Sequence, residues 1–229
     1  MLIKFGSIVV DGRGKLGGQV YSKNKSGNYV RNNAIPTNPR TTHQMASRAL
    51  LSEVSRDWSA LTEEQRNAWD SATEEFKRTN AFGDRTKLSG KNLYSSINKN
   101  LLQVGADKVQ LPPDKVDVGQ AIGGTLEFNM DEETLQIDLE MDGTADYLVL
   151  RATPPVSPGT KFVKNKLRIV RVVENATPEE AYANIWDDYV DRFGLPSEGK
   201  SIYAGIYSVG TDGVRTSELI IRAVETEND

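Results

Sequence analysis

The 229-residue sequence contains no cysteine and one histidine, His43. The lack of cysteine excludes disulfide bonds, thiolate metal ligands and a cysteine nucleophile. One histidine offers no second imidazole at metal-ligand spacing, and no serine lies in the G-x-S-x-G pattern of a nucleophile elbow. We therefore expect a protein that is not an enzyme and that holds neither a metal nor a cofactor.

Long apolar runs are absent as well. Nowhere do about 18 apolar residues follow one another, so we expect no membrane-spanning helix. The first residues, MLIKFG, become polar too soon for a secretory signal peptide. Hydrophobic residues make up 38% of the chain and charged residues 26%, which is ordinary for a globular protein with one moderate core or two thin ones.

The net charge of -4 conceals a strong asymmetry along the chain. Residues 1–60 carry nine Lys and Arg against three Asp and Glu, residues 61–120 carry nine against nine, and residues 121–229 carry ten against twenty. Such polarity is typical of a chain whose basic end binds an acidic partner while its acidic part stays solvated.

A glycine cluster follows a predicted strand at 7–11, and its members are Gly12, Gly14 and Gly17. Their spacing matches G-x-G-x-x-G, but a dinucleotide site needs a helix after the glycines and an acidic residue about 20 positions on. Here the next segment is β-like, and no acidic residue occurs between Asp11 and Glu53. The glycines therefore predict turns and close backbone packing.

Residues 19–22 and 29–34 flank a turn-rich loop, a pattern that predicts a β-hairpin with a basic tip. Cations interleaved with tyrosine accompany this arm, and they are positioned to contact phosphates or an acidic protein face. We predict that the partner-binding residues are Lys15, Lys23, Lys25, Tyr29, Arg31 and Arg40.

An extended connector with Pro36 and Pro39 leads into a predicted helix that runs to about Ser59. Thr41 and Gln44 have the spacing of a capping box at its start. Its apolar stripe, at three- and four-residue spacing, is expected to be buried. The members of that stripe are Met45, Leu51, Val54, Trp58 and Leu61.

Thr62 and Gln65 form a second capping box, and the helix that follows should pack Trp69 towards Trp58 and Leu61. The exposed face of this second helix is acidic, which argues against insertion into a DNA groove. A third helix is predicted over 91–104 and should stop at Gly105.

Beyond a predicted linker at 111–124, the hydrophobic pattern changes to alternation with a period of two. Several short strands, a helix over 177–193, and a final hairpin of 201–209 with 214–224 predict an immunoglobulin-like β-sandwich with one inserted helix. The expected fold is thus α+β. Its predicted parts are a β-hairpin arm at 1–40, a helical domain at 41–110, the linker at 111–124 and the sandwich at 125–229.

Residues 201–209, the turn at 210–213 and Arg215-Thr216-Ser217 resemble the last two strands of fibronectin type III and related immunoglobulin-like domains. In this resemblance Tyr203 stands near the corner tyrosine of those folds.

The N-terminal part resembles an uncharacterised module of tailed-bacteriophage virion proteins, as found in crAss-like phages and their relatives, over about residues 5–104. The resemblance lies in the glycine-rich start, Tyr-Val-Arg at 29–31, Thr-Asn-Pro-Arg-Thr at 37–41, and the Trp58…Leu61-Thr62…Gln65-Arg66…Trp69 pattern.

This resemblance implies a virion structural protein, such as a capsid auxiliary or decoration protein, a head–tail connector or a tail protein. It would be made in the host bacterial cytoplasm and located in the virion, with capsid, portal or tail proteins and copies of itself as partners. The basic arm would become ordered only in the assembly. Two alternatives stay open, a DNA-associated packaging or internal protein that uses the same cations, and a carbohydrate-binding sandwich.

Overall fold

The structure is a computed structural model that describes residues 2–3, 6, 12–25, 27–35, 37–79, 82–177, 182–197 and 199–225. The predicted strand at 7–11, Pro36, and residues 178–181 of the predicted helix at 177–193 lie outside the described residues. The chain divides into two compact units, residues 1–95 with 110–112, and residues 96–109 with 113–229. The division falls inside the third helix, whereas the sequence pattern placed it at 111–124.

The first unit begins with a four-stranded antiparallel sheet in the order β1-β4-β3-β2. The predicted hairpin is confirmed, and a further short strand, β2, forms within the glycine cluster. Gly17, in the turn between β2 and β3, has a φ of 57°, a left-handed conformation that glycine adopts without steric cost. The strands are β1 Leu2–Ile3, β2 Gly14–Leu16, β3 Gln19–Asn24 and β4 Gly27–Asn32.

Two helices follow, α1 over Thr42–Ala60 and α2 over Glu63–Ala72. At α2 the predicted capping box is complete: the Gln65 N–H donates to the Thr62 hydroxyl, and the Thr62 N–H donates to the Gln65 side chain. At α1 only half of the predicted box forms. The Thr41 hydroxyl accepts from the Gln44 N–H at 3.3 Å, but Gln44 does not reach back to the Thr41 backbone.

The helices of this unit meet around an aromatic group that includes Tyr94 of α3, which spans Gly90–Val104. The Tyr94 ring lies 5.4 Å from the Trp58 ring and 5.3 Å from the Trp69 ring. The indole N–H of Trp69 donates to the Gln110 carbonyl at 2.8 Å. The predicted packing of Trp69 towards Trp58 is therefore mediated by Tyr94, which the sequence pattern did not single out.

The predicted apolar stripe of α1 is only partly buried. Val54 and Leu61 are buried and Trp58 is half-buried, whereas Met45 and Leu51 are exposed. Helical spacing identifies the apolar face of a helix, but it does not show how far along the helix its neighbours extend. The first half of α1 therefore keeps apolar side chains on its surface.

The rest of this unit includes a small hairpin of β5 Arg78–Thr79 and β6 Arg85–Thr86.

α3 ends as predicted at Gly105, whose φ is 84°. The Ala106 N–H donates to the Leu101 carbonyl and the Gly105 N–H to the Leu102 carbonyl. These two bonds form a Schellman motif, which satisfies carbonyls that the helix end would otherwise leave unpaired.

The second unit is a sandwich-like sheet in the order β10-β9-β12-β13-β7-β8-β11. β13 joins two half-sheets, since its residues 219–222 pair antiparallel with β12 and its residues 223–225 pair parallel with β7. The strands are β7 Gln120–Asn129, β8 Thr134–Asp142, β9 Ala145–Ala152, β10 Arg168–Ala176, β11 Tyr182–Asn184, β12 Tyr203–Val209 and β13 Leu219–Glu225.

Buried side chains from both half-sheets form one core, which includes Leu135 and Ile137 of β8 and Leu148 and Leu150 of β9. Two half-sheets that pack face to face over a shared core form a β-sandwich. The predicted α+β class with a sandwich after the helices is confirmed.

Three boundaries differ from the sequence prediction. β7 begins at Gln120, so residues 120–124 belong to a strand and not to the linker. Residues 182–184 form β11, which pairs with β8, and among the described residues of the predicted helix Trp186–Phe193 form the inserted helix, α4. The Asn184 side chain accounts for this change, because it accepts the N–H groups of Leu135 and Trp186. β13 begins at Leu219, five residues later than expected.

Strands β9 and β12 are covered on both faces. Val149 and Tyr207 point away from the shared core and pack with Val104 from the end of α3. The Asn100 side-chain amide donates to the Gly213 carbonyl at 2.9 Å. A Cβ atom on Gly213 would lie 2.8 Å from the Ile97 Cγ2 atom, so this loop approaches the helix closely.

We predict that Gly213→Ala lowers the free energy of unfolding by about 3 kcal/mol, since it adds a clash with α3 to the strain of a left-handed alanine. Gly159→Ala is the matched control, because Gly159 has a similar positive φ of 86° but open space around it. The control should lose only about 1 kcal/mol. Urea unfolding measures both losses, and equal losses would contradict the packing of α3 on this loop.

The Tyr189 side chain of α4 is fully buried in the sandwich core, and its hydroxyl has no hydrogen-bond partner among the described residues. Its ring packs against Phe193, with the ring centroids 5.1 Å apart. Burial raises the pKa of the Tyr189 phenol. A buried hydroxyl without a partner costs free energy that a phenyl ring in the same place does not.

Tyr189→Phe should therefore stabilise the protein by about 1 kcal/mol. Tyr203→Phe provides the comparison, because the Tyr203 hydroxyl donates to the Thr160 carbonyl at 3.2 Å. That substitution should instead destabilise by about 1 kcal/mol. Thermal unfolding of both variants is the measurement, and a loss of stability in Tyr189→Phe would refute the unpaired state of its hydroxyl.

Candidate partner-binding surface

The antiparallel register of the N-terminal sheet places two predicted cations in one row. Lys15 of β2 is opposite Val20 of β3, and Val20 is opposite Arg31 of β4. Directly opposed residues in antiparallel strands project from the same face. Tyr29 follows Arg31 at a spacing of two and lies opposite Ser22, so it shares this face. We call the face that carries Lys15, Val20, Tyr29 and Arg31 the basic face.

The other predicted cations lie elsewhere in the unit. Lys23 is opposite Asn28, and the alternation of the strands puts it on the second face, with Val30. Lys25 is in the turn between β3 and β4, and Arg40 is in the connector before α1 with a φ of 51°. The structure thus brings together Lys15, Tyr29 and Arg31 and separates them from the remaining three.

The sheet has little core of its own. Val30 is the only buried hydrophobic residue among the described side chains of its strands. Leu16 on β2 is 72% exposed, and Ile35, just beyond β4, is 94% exposed. Four short strands with so little buried apolar surface gain little stability from burial, so this sheet presents apolar and cationic groups to solvent.

The tip of the β3–β4 hairpin borders an open cleft of about 690 Å³ within the first unit. Lys25, Arg85 and Lys87 provide its positive charge. The Asp70 carboxylate, also in the lining, accepts the Gly90 N–H at 2.8 Å and so caps the start of α3. Asp84 also lines the cleft, so three cations and two acids border it.

Next to this cleft, Glu74 is held between two ammonium groups. Its carboxylate oxygens lie 2.5 Å from the Lys77 Nζ atom and 2.6 Å from the Lys87 Nζ atom. The hydrogen bonds from Lys77 and Lys87 lower the pKa of Glu74 from its ordinary 4.5 to about 2. Any stability that this carboxylate contributes is present above pH 4.5 and is lost as the pH falls from there towards 2.

The predicted structural residues are accounted for as follows. Trp69 and Leu61 are buried, Trp58 is half-buried, and Pro39 and Gly12 lie in segments without regular structure. Gly14, at the start of β2, has a φ of 115°. Tyr203 is structural, but its geometry differs from a tyrosine corner. A corner hydroxyl bonds a few residues upstream, whereas this one bonds Thr160, 43 positions earlier in the chain.

Two findings bear on chemistry. The part of the chain that the structure describes contains no group of three or more His, Cys, Asp or Glu side chains that could hold a metal ion. Among the same residues, no helix is long and apolar enough to cross a membrane.

Sequence reasoning missed one exposed feature, the loop between β9 and β10, in which Phe162 is 90% exposed. A signal for it was present. No acidic residue occurs between Asp146 and Glu174, although the surrounding domain is strongly acidic.

No protein-family model and no curated protein sequence matches this chain. Among solved structures, the chain is similar to a Fn3-like protein from Clostridium thermocellum, with a TM-score of 0.33 and 10% sequence identity. The match covers 48% of this chain and 95% of that protein. The strand order and the shared core identify the second unit as a sandwich.

We predict that Lys87→Gln raises the pKa of Glu74 from about 2 towards 4.5, because one of its two ammonium partners is lost. An NMR titration of the Glu74 carboxyl carbon measures this shift. Lys161→Gln, a substitution in the second unit, is the control and should leave the titration unchanged, because Lys161 makes no ion pair with Glu74. An unshifted midpoint in Lys87→Gln would show that this ion pair is absent in solution.

Proposed function

We propose that this protein is a non-catalytic structural component of a tailed-phage virion that acts through protein–protein assembly contacts. Within the virion it would serve as a capsid auxiliary protein or as a head–tail connector or tail protein. The N-terminal sheet docks on another virion protein, and the sandwich contacts neighbouring copies. The observation that carries this proposal is the four-stranded N-terminal sheet, which exposes cations and the apolar Leu16 and buries only Val30 among its described hydrophobic side chains.

The basic face suits an acidic protein surface. Lys15 and Arg31 are exposed on either side of half-buried Val20, so a partner meets an apolar centre between two positive charges. Such an arrangement combines apolar burial with charge steering. A partner that covers this face would add the burial that the sheet lacks, and it would thereby repay the cost of ordering the arm.

The first helix supports the same proposal. Met45 and Leu51 are exposed on α1, in the same unit as the basic face. Exposed apolar side chains are typical of surfaces that become covered in an assembly. The placement in a virion comes from the resemblance of residues 5–104 to a tailed-phage module.

A DNA-associated role would use the same cations, and it predicts a steep salt dependence of DNA binding. The separation of Lys23 from Lys15 and Arg31 favours the protein partner, because a phosphate track needs contiguous cations. A carbohydrate-binding role would need exposed aromatic rings on the sandwich. Phe162 is the exposed aromatic residue in the described part of that domain.

The experiment is incorporation of epitope-tagged protein into phage particles, followed by labelled-antibody electron microscopy of the purified particles. We expect the wild-type protein in the particles at a fixed location. Lys15→Glu with Arg31→Glu should lower incorporation at least about tenfold, because like charges then oppose the acidic partner.

The matched control is Lys23→Glu with Lys25→Glu, which makes the same change in charge away from the basic face. This control should incorporate as well as the wild type. Equal incorporation of all three proteins would contradict docking through the basic face, and absence of the wild type from particles would contradict the virion role. Salt-dependent DNA binding that requires Lys15 and Arg31 would favour the DNA-associated alternative.

A further inference from the structure

The loop of 153–167 between β9 and β10 is held in place by hydrogen bonds, and it exposes an aromatic ring. Phe162 is 90% exposed, while Val163 next to it is buried at 4%. Val156 and Ser201 exchange both backbone hydrogen bonds at 2.9 Å. The Tyr203 hydroxyl donates to the Thr160 carbonyl two residues before the ring. A ring held on a fixed loop binds a partner with little loss of conformational entropy.

The loop is also positive within an acidic domain. Residues 121–229 carry ten cations against twenty acids, but residues 147–173 contain no Asp or Glu. Lys161 and Lys164 flank Phe162 and are exposed, and neither makes an ion pair with a described residue. We call Lys161, Phe162 and Lys164 the loop knob.

A surface of opposite charge lies on the other half-sheet of the same domain. Asp138, Glu140 and Asp142 are exposed on alternate positions of β8, while the residues between them face the core or are half-buried. Alternate positions are about 7 Å apart along a strand. None of these three carboxylates is paired with a described residue. We call them the acidic strip.

The acidic strip has an apolar centre of its own. Ile122 is 60% exposed, at the irregularity of β7 where the register shifts between Ala121 and Gly123. Gly123 is opposite Glu140, and Gln120 is opposite Asp142. Ile122 therefore lies between two of the carboxylates, as Phe162 lies between two lysines. Each surface is an apolar side chain flanked by like charges, and the two surfaces have opposite sign.

We propose that the loop knob of one copy of this chain binds the acidic strip of a second copy. Phe162 packs on Ile122, and Lys161 and Lys164 face Glu140 and Asp142. The contact is heterologous, so repetition builds a ring or an open filament. The loop knob cannot bind the acidic strip of its own copy. The acidic strip is on the outward face of the half-sheet that does not contain β9 and β10.

A second copy fits the loop knob better than an anionic membrane does, because the acidic strip is present on the same chain and would be repelled by anionic lipid. Phe162 supplies the buried anchor, and the lysines at the rim set orientation and partner choice. This inference deepens the proposed function, on which it rests for the need to assemble. It uses surfaces within the sandwich alone, so it can fail while docking through the basic face holds.

Sedimentation equilibrium of the full chain over a range of concentrations tests the proposal. The loop variant is Lys161→Glu with Lys164→Glu, and the strip variant is Glu140→Lys with Asp142→Lys. We expect the wild type to self-associate more weakly in high salt, and each variant to associate at least about tenfold more weakly than the wild type. An equimolar mixture of the two variants should recover association, because each now carries the charge that complements the other.

Phe162→Ser should also weaken association at least about tenfold, since the buried anchor is lost. Lys91→Glu with Lys99→Glu is the matched control, because both lysines are exposed and belong to none of the surfaces described above, and it should associate like the wild type. A wild type that stays monomeric at every concentration would overturn the proposal, as would a mixture that fails to recover association. A monomeric wild type that binds phosphatidylserine vesicles through Lys161 and Lys164 would assign the loop knob to a membrane instead.

Discussion

This structure depends on the burial of apolar side chains, and its two units bury very different amounts of apolar surface. The sandwich shares one core between its two half-sheets, and β9 and β12 are covered on their outer face as well by the end of α3. The first unit buries far less. Its helices meet around the Tyr94 ring, and its sheet buries Val30 alone among the described side chains. Because folding must offset a conformational entropy cost for every ordered residue, a sheet of this kind gains from a partner that covers it.

This inequality gives the two units different roles in the proposed function. The sandwich is stable through its own contacts, so its surface is free to carry opposed charges at the loop knob and the acidic strip. The N-terminal sheet would complete its burial by packing against a neighbouring protein. In the proposed function, Lys15 and Arg31 would select an acidic neighbour, because cations beside an apolar strand favour an acidic surface. On both proposed surfaces, apolar contact would supply the affinity and the charges around it would select the partner.

Much of this fold was predictable from the sequence. The alternation of Leu135, Ile137 and Leu139 predicted a half-buried strand, and all three are buried. The capping box at α2 and the stop at Gly105 were predictable as well, because they depend on local hydrogen bonds and on φ alone. Strands of three residues, such as β2 and β11, carry no measurable period, so their pairing depends on tertiary contacts. The division of the cations between two faces depends on hairpin register, which a one-residue shift reverses.

Native-state hydrogen exchange of the free full-length protein tests the central claim most directly, because amide protection reports the local free energy of opening. The account predicts the slowest exchange in β9 and β12 and exchange at least about a hundredfold faster in β3 and β4. Protection of β3 and β4 equal to that of β12 would contradict it, because the N-terminal sheet would then be fully stable without a partner.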